Sequence, residues 1–137
     1  MCIRDSNNVS PVLSTTSPIV YVTNPPCNLY AWGDNSLGQL NIPTKLNNVV
    51  QIASGNGFIL ALKSDGTVIA WGTSTTGVLS IPSGLNNVVK ISANYNSAIA
   101  LKSDGTVVSW GEFAGGGLIP AAPSYVNNIV DLSLIHI

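Results

Sequence analysis

The sequence predicts an all-β chain built from copies of one unit of about 40 residues, the period of a repeat architecture. Three observations carry that expectation. First, Leu62-Lys63-Ser64-Asp65-Gly66-Thr67-Val68-Ile69-Ala70-Trp71-Gly72 returns 39 residues later as Leu101-Lys102-Ser103-Asp104-Gly105-Thr106-Val107-Val108-Ser109-Trp110-Gly111. An earlier, truncated copy ends in Leu29-Tyr30-Ala31-Trp32-Gly33, at the same spacing. Second, Leu46-Asn47-Asn48-Val49-Val50-Gln51-Ile52 matches Leu85-Asn86-Asn87-Val88-Val89-Lys90-Ile91, and Val126-Asn127-Asn128-Ile129-Val130-Asp131 is a third occurrence. Third, the apolar runs are short, rich in β-branched and aromatic residues, and bounded by Gly, Asn and Asp, which fits buried strands better than helices.

Each unit can be read in order. Ile59-Leu60-Ala61-Leu62 and Val68-Ile69-Ala70-Trp71 are two strands, and Ala98-Ile99-Ala100-Leu101 repeats the first of them. Lys63-Ser64-Asp65-Gly66 is the hairpin between them: Asp starts the turn and Gly supplies the positive φ. The Asn-Asn pairs open a further strand, after a turn marked by Pro43 or Pro82. A weaker outer strand is expected near Leu79-Ser80-Ile81. Four strands per unit is the arithmetic of propeller blades. Residues 29–131 are therefore expected to form about two and a half four-stranded blades of an incomplete β-propeller, an estimate that follows from the repeat period.

The remaining segments differ in kind. Residues 1–6, Met1-Cys2-Ile3-Arg4-Asp5-Ser6, read as a translated transposase mosaic-end sequencing adapter, and residues 132–137, Leu132-Ser133-Leu134-Ile135-His136-Ile137, as its reverse complement. Both ends are expected to be adapter-derived and are set aside from functional reasoning, leaving a fragment of the kind metagenomic sequencing yields. On that reading Arg4, Cys2 and His136 carry no function, and Cys27 stands alone. Residues 7–28 are rich in Pro, Ser and Thr, which suggests a linker or the end of an upstream domain. Within them Ile19-Val20-Tyr21-Val22 has the pattern of a strand; linker is the preferred reading.

The order Ala-Trp-Gly, Asn35-Ser36-Leu37-Gly38-Gln39-Leu40, Asn-Asn-Val-Val, Leu-Ala-Leu-Lys-Ser-Asp-Gly-Thr-Val resembles the repeats of the regulator-of-chromosome-condensation family, and its short period is most similar to the bacterial branch. The resemblance covers about residues 29–131 and implies a closed ring, commonly of seven blades. The chain departs from the family's pattern in places. Phe58 and Ser97 stand where the family often has His. Gly55 in one corner becomes Asn94 in the next, a residue that tolerates left-handed backbone. Gly38-Gln39 becomes Gly77-Val78.

Composition narrows the function classes. The 137 residues carry a net charge of −1 with only 8% charged residues, and mean hydropathy is +0.35. This fits a slice of a core whose faces need neighbouring repeats to cover them. The scarcity of cations disfavours a nucleic-acid surface. No apolar run approaches the roughly 20 residues of a membrane span. Richness in Asn, Ser, Thr and Gly points to a secreted or cell-surface bacterial protein. No cofactor is expected. No His/Cys/acid cluster with metal-ligand spacing is present, and no Ser has a nearby base once His136 is set aside.

Candidate sites follow from the repeat. Asp65-Gly66 and Asp104-Gly105 are expected to be turn residues rather than cation ligands, since Asp caps its own backbone in such turns. Trp32-Gly33, Trp71-Gly72 and Trp110-Gly111 are expected to place each indole in the core between blades, not on a stacking platform. Lys63 and Lys102 are expected to be solvated. Binding on a repeated scaffold falls to the loops that vary. Glu112 and Phe113 replace Asp34-Asn35 and Thr73-Ser74, and Tyr95 and Tyr125 lie in loops, so these four are the candidate partner contacts.

The expected function is a non-catalytic protein-interaction scaffold, part of a larger secreted or surface protein, whose partners include the remaining blades and a protein of unknown identity. The alternatives are an enzyme-inhibitor propeller of the β-lactamase-inhibitor kind, an enzyme with its site in the missing blades, and a nucleotide-exchange factor like the family's eukaryotic founder. Short period and scarce cations disfavour the last.

Overall fold

The computed structural model describes residues 19–22, 29–44 and 46–112. Within them are eight strands and no helix: β1 (Ile19–Val22), β2 (Leu29–Trp32), β3 (Val49–Ser54), β4 (Phe58–Lys63), β5 (Val68–Gly72), β6 (Val88–Asn94), β7 (Ser97–Lys102) and β8 (Val107–Gly111). They form three antiparallel sheets in chain order, β1-β2, β3-β4-β5 and β6-β7-β8. The adapter-like ends, Cys27, Phe113, Tyr125 and the third Asn-Asn block lie outside the described residues.

The two complete sheets share one register. Ile59 pairs with Trp71 and Leu62 with Val68; 39 residues on, Ala98 pairs with Trp110 and Leu101 with Val107. Each first strand carries a bulge after its opening valine, between Val49 and Gln51 and between Val88 and Lys90. A bulge adds one residue to one strand of a pair and increases the local twist. Of the two readings of residues 19–22, the structure has the strand: Ile19 pairs with Trp32 and Val22 with Leu29.

Every second residue of the central strands faces one side, so both faces of β4 and β7 must be covered. Phe58, Leu60 and Leu62 pack toward the third sheet, against Ile91, Ala98, Ala100 and Trp110. Ile59 and Ala61 face the other way and pack with Trp71, Leu29 and Ile42. This explains why these strands read as continuous apolar runs rather than as alternation.

The expected outer strand at Leu79-Ser80-Ile81 is absent; each described complete sheet has three strands. Ser80 donates its N–H to the Gly77 carbonyl at 2.9 Å and Ile81 to that of Leu79 at 3.1 Å. Amides spent on local turns cannot pair along a sheet edge. Leu79 and Ile81 instead pack against the core between the sheets. The same loop in the preceding unit bonds Asn41 to Gly38 and Ile42 to Leu40. Apolar alternation there reflects a loop folded over a sheet face.

Candidate functional site

The strands run between two ends, and each end gathers one class of turn. At the first end lie the Lys-Ser-Asp-Gly-Thr hairpins. The Asp65 carboxylate accepts from the Thr67 N–H at 3.0 Å and the Thr67 hydroxyl at 2.5 Å, and the Lys63 ammonium reaches it at 3.0 Å. Asp104 accepts from the Thr106 N–H at 2.9 Å and hydroxyl at 2.6 Å, with Lys102 at 3.5 Å. Lys63 and Lys102 are thus ion-paired within their own turns, not simply solvated. The Thr67 hydroxyl and N–H, followed by Lys63, hold the Asp65 carboxyl down at about 2. Asp104 is lowered too, first by Thr106. Gly66 has φ +79° and Gly105 φ +80°, the left-handed conformation that favours glycine.

The Asn-Asn pairs complete this end. Asn48 and Asn87 have φ of 56° and 55°, a region where Asn is several-fold enriched among residues with a side chain. That turn lets the Asn48 carbonyl accept from Ser64 and the Asn87 carbonyl from Ser103, both at 2.8 Å. Val88 donates to the Gly66 carbonyl at 3.0 Å, joining one sheet's turn to the next sheet's first strand.

At the opposite end lie Gly55-Asn56-Gly57, Thr73–Thr76, Asn94-Tyr95-Asn96 and Glu112. Here backbone bonds predominate. Asn56 donates its N–H to the Tyr95 carbonyl at 2.8 Å, Thr73 to that of Gly57 at 2.9 Å, and Glu112 to that of Asn96 at 3.0 Å. The Tyr95 side chain projects outward, 52% exposed. Of the four candidate contacts, Tyr95 and Glu112 therefore share this end, and Phe113 and Tyr125 lie outside the described residues. In the loop after β2, Asp34 is held low mainly by the Ser36 hydroxyl, which donates at 2.6 Å; Gln39 also donates to it at 3.2 Å.

The corner that changes from Gly55 to Asn94 has a steric cause. Neither residue has positive φ, so left-handed backbone does not explain the pair. A Cβ on Gly55 would stand 2.1 Å from the Phe58 ring and 2.6 Å from the Asn94 carbonyl oxygen. In the next unit Ser97 replaces Phe58, and the corner accommodates an Asn side chain.

The tryptophans divide. Trp71 and Trp110 are each 7% exposed, while Trp32 is 46% exposed, which corrects the expectation of three core indoles. The Trp71 indole N–H donates to the Gln39 carbonyl at 2.9 Å, and that of Trp110 to the Val78 carbonyl at 2.7 Å. Each buried indole is therefore capped by the loop of the preceding unit. Because the acceptor is a backbone carbonyl, the side chain can be Gln or Val, both buried. Side-chain patterns gave no signal of this role.

Gln51 was missed as well. Its amide donates to the Ile91 carbonyl at 2.8 Å and accepts from the Ile91 N–H at 2.9 Å, standing in for a strand rung between β3 and β6. Among the described residues no group of three His, Cys, Asp or Glu could hold a metal ion, and no helix is long and apolar enough to cross a membrane.

Residues 49–77 and 88–114 match the family model described as "Regulator of chromosome condensation (RCC1) repeat". Those two segments are similar to RCC1 repeats. Each matched copy begins at the first strand of a complete sheet and includes both of its hairpins. No curated protein sequence matches the chain. Solved structures do. Prp20p from Saccharomyces cerevisiae, described with its binding properties to Gsp1p and histones, gives a TM-score of 0.59 at 22% identity, over 72% of this chain and 29% of its own. The CRINKLY WD40 ectodomain of the Arabidopsis thaliana receptor kinase ACR4 gives 0.67 at 22%, over 84% and 40%. Human WBSCR16 gives 0.57 at 19%, over 75% and 35%. The chain thus spans less than half the length of each. Likeness at this identity shows the fold: the described sheets are those of a β-propeller.

Proposed function

We propose that the chain is a non-catalytic protein-interaction scaffold, a slice of a larger propeller, that recognises its partner at the end bearing Asn56, Tyr95 and Glu112. The observation that carries this reading is a contrast within one fold. Turns at one end keep their sequence from unit to unit, while turns at the other end differ and present an exposed tyrosine. Exposed aromatics on a rigid frame make favourable anchors, since burying them costs little conformational freedom. Prp20p, which is described as binding Gsp1p and histones, lends support from a structural neighbour. The carboxylates of Asp34, Asp65 and Asp104 are engaged by their own turns, which supports structural over catalytic roles for them. Low charge with abundant Asn, Ser, Thr and Gly supports a secreted or surface setting in a bacterium.

Site-specific photo-cross-linking tests the reading. A photoreactive residue replaces Tyr95 in one preparation and Ser64, at the end whose turns repeat, in another. Each is exposed to the secreted protein fraction of the source culture. Discrete adducts from position 95 and none from position 64 are expected. Equal labelling from both positions, or none from either, removes the proposed face.

A further inference from the structure

An Asn or Asp directly before Gly is the dipeptide most open to ring closure, because glycine has no side chain to shield its own nitrogen or stiffen its backbone. The chain has three such pairs, Asn56-Gly57, Asp65-Gly66 and Asp104-Gly105. Each sits in a turn between strands, and the fold treats them differently.

The two Asp-Gly pairs are held closed. The Gly66 N–H donates to the Lys63 carbonyl at 3.0 Å, and the Gly105 N–H to that of Lys102 at 2.9 Å. Both carboxylates accept from their Thr partners and are kept ionised. A bonded amide is a poor nucleophile, and a carboxylate is a poor electrophile. The Asn56-Gly57 pair has neither restraint. Asn56 is exposed, and among the described residues neither its carboxamide nor the Gly57 N–H makes a hydrogen bond. The groups around them are occupied. Gly55 donates to the Phe58 carbonyl at 3.0 Å, Asn56 to the Tyr95 carbonyl at 2.8 Å, and Thr73 to the Gly57 carbonyl at 2.9 Å. The glycine is also required: its φ is +76°, and a Cβ there would stand 2.5 Å from the Leu37 side chain. The fold therefore imposes the reactive pair and leaves its attacking nitrogen free. In the next unit the equivalent pair is Tyr95-Asn96, so the chemistry belongs to one turn.

We propose that Asn56 is a site of spontaneous deamidation in the folded chain, converting with age to aspartate and isoaspartate. The Gly57 nitrogen gives its proton to solvent hydroxide and attacks Asn56 Cγ. The bond from Cγ to Nδ2 breaks, ammonia leaves, and a succinimide ring forms. Water then opens the ring. Cleavage between Cγ and the Gly57 nitrogen gives aspartate; cleavage at the main-chain carbonyl gives isoaspartate. Both products add a negative charge to the variable end. Isoaspartate also lengthens the main chain by a methylene between the Asn56 N–H and the Gly57 carbonyl. Their bonds to Tyr95 and Thr73 then lose register, which loosens the joint that holds the Tyr95 turn. The consequence for partner capture rests on the scaffold reading; the reaction does not.

The full chain is held at mildly alkaline pH, with and without urea, and peptide mapping by mass spectrometry follows each site. Asn56 is expected to convert in the folded chain at a rate within a few-fold of that in urea. Asp65 and Asp104 are expected to isomerise at least tenfold more slowly folded than in urea. Asn94, whose side chain accepts from the Tyr95 N–H at 2.6 Å and whose following residue is bulky, is expected to stay an amide. Protection of Asn56 by folding as strong as that of Asp65 overturns the proposal, and so does a folded chain in which another Asn converts first. Hydrogen exchange separates the two products. The amides of residue 56 and Thr73 are expected to exchange faster in the isoaspartate form and to be unchanged in an Asn56→Asp chain, which carries the charge on an unaltered main chain. Unchanged exchange in the isoaspartate form overturns the loosening. No partner enters either readout, so they stand or fall separately from cross-linking at Tyr95.

Discussion

The two ends of the same sheets follow different rules. At one end Lys63-Ser64-Asp65-Gly66-Thr67 and Lys102-Ser103-Asp104-Gly105-Thr106 are identical, and Asn47-Asn48 repeats as Asn86-Asn87. At the other, Gly55-Asn56-Gly57-Phe58 is matched by Asn94-Tyr95-Asn96-Ser97. The hydrogen bonds explain the difference. At the constant end side chains make the turn: Asp65 and Asp104 bind Thr67 and Thr106, and Asn48 and Asn87 supply left-handed backbone. At the variable end the joining bonds are mostly between main-chain groups, such as Asn56 to Tyr95 and Glu112 to Asn96. Main-chain bonds place few demands on side-chain identity, so side chains there are free to diverge. A repeat protein can thus keep its assembly at one end and vary its recognition surface at the other.

The largest test of this contrast lies at the variable end, where one side chain does constrain the backbone. Gly55→Ala drives a Cβ into the Phe58 ring, and overpacking of this kind costs about 1–3 kcal/mol. Phe58→Ser, which copies the next unit, opens the space. In that background Gly55→Ala is expected to cost less, though not nothing, because its Cβ still meets the Asn94 carbonyl oxygen at 2.6 Å; a double-mutant cycle in urea measures the coupling. Asn94→Ala, beside Ser97, is expected to cost under about 1 kcal/mol, the scale of one exposed hydrogen bond. Equal costs for Gly55→Ala with and without Phe58 remove the steric account.

This pair also shows what the sequence can and cannot reveal. The 39-residue period and the apolar runs made the sheets legible, because burial on both faces leaves a continuous pattern. The hairpin roles of Asp65 and Gly66 were legible too, since the chemistry of that turn is local. The exchange of Gly55 for Asn94 was not, because its cause lies three residues away at Phe58 and Ser97. Leu79-Ser80-Ile81 misled for a related reason: alternation reports which side chains are buried, and a loop folded over a sheet buries them as a strand does. The burial of Trp71 and Trp110 was legible only in part, because the loop that covers each acts through a backbone carbonyl that leaves no trace in residue type. At the candidate partner-binding end, Glu112 could be picked out as a departure from the repeat and Tyr95 as an aromatic in a loop. Their placement at one end depends on strand direction, which only the assembled sheets supply.

At the constant end the next largest effect belongs to the backbone of Asn87. A β-branched residue cannot adopt its φ of 55° without strain, and left-handed backbone costs about 1–2 kcal/mol for an L-residue. Asn87→Val is expected to lose about that much in thermal or urea unfolding, while Asn87→Gly is expected to stay near the parent, since glycine takes the same φ freely. The Ser103-to-Asn87 bond should exchange its amide proton faster in the valine variant only. If both variants are destabilised alike, the Asn87 side chain rather than its backbone secures this end.

The smallest effect concerns the charge on the same turns. In the folded chain the Thr67 hydroxyl and N–H hold the Asp65 carboxyl down at about 2, below its ordinary value of 3.8. A carboxyl depressed on folding stabilises the folded state when ionised. Its contribution is complete above the unfolded value and fades as pH falls from about 3.8 toward about 2. The effect is small because the group is solvent-exposed and screened. Thr67 is the leading cause, ahead of Lys63, so the two can be separated. Thr67→Val is expected to raise the Asp65 value toward 3.8, read by carboxyl NMR titration, and to leave Asp104 unmoved as an internal control. Lys63→Met is expected to shift it less, and added salt to shift it little in the parent, because the Lys63–Asp65 pair lies in solvent, where charge attraction is weak. A larger response to Lys63→Met than to Thr67→Val would make the recurring lysine, rather than the Asp-Thr hydrogen bonds, the reason this turn keeps its sequence.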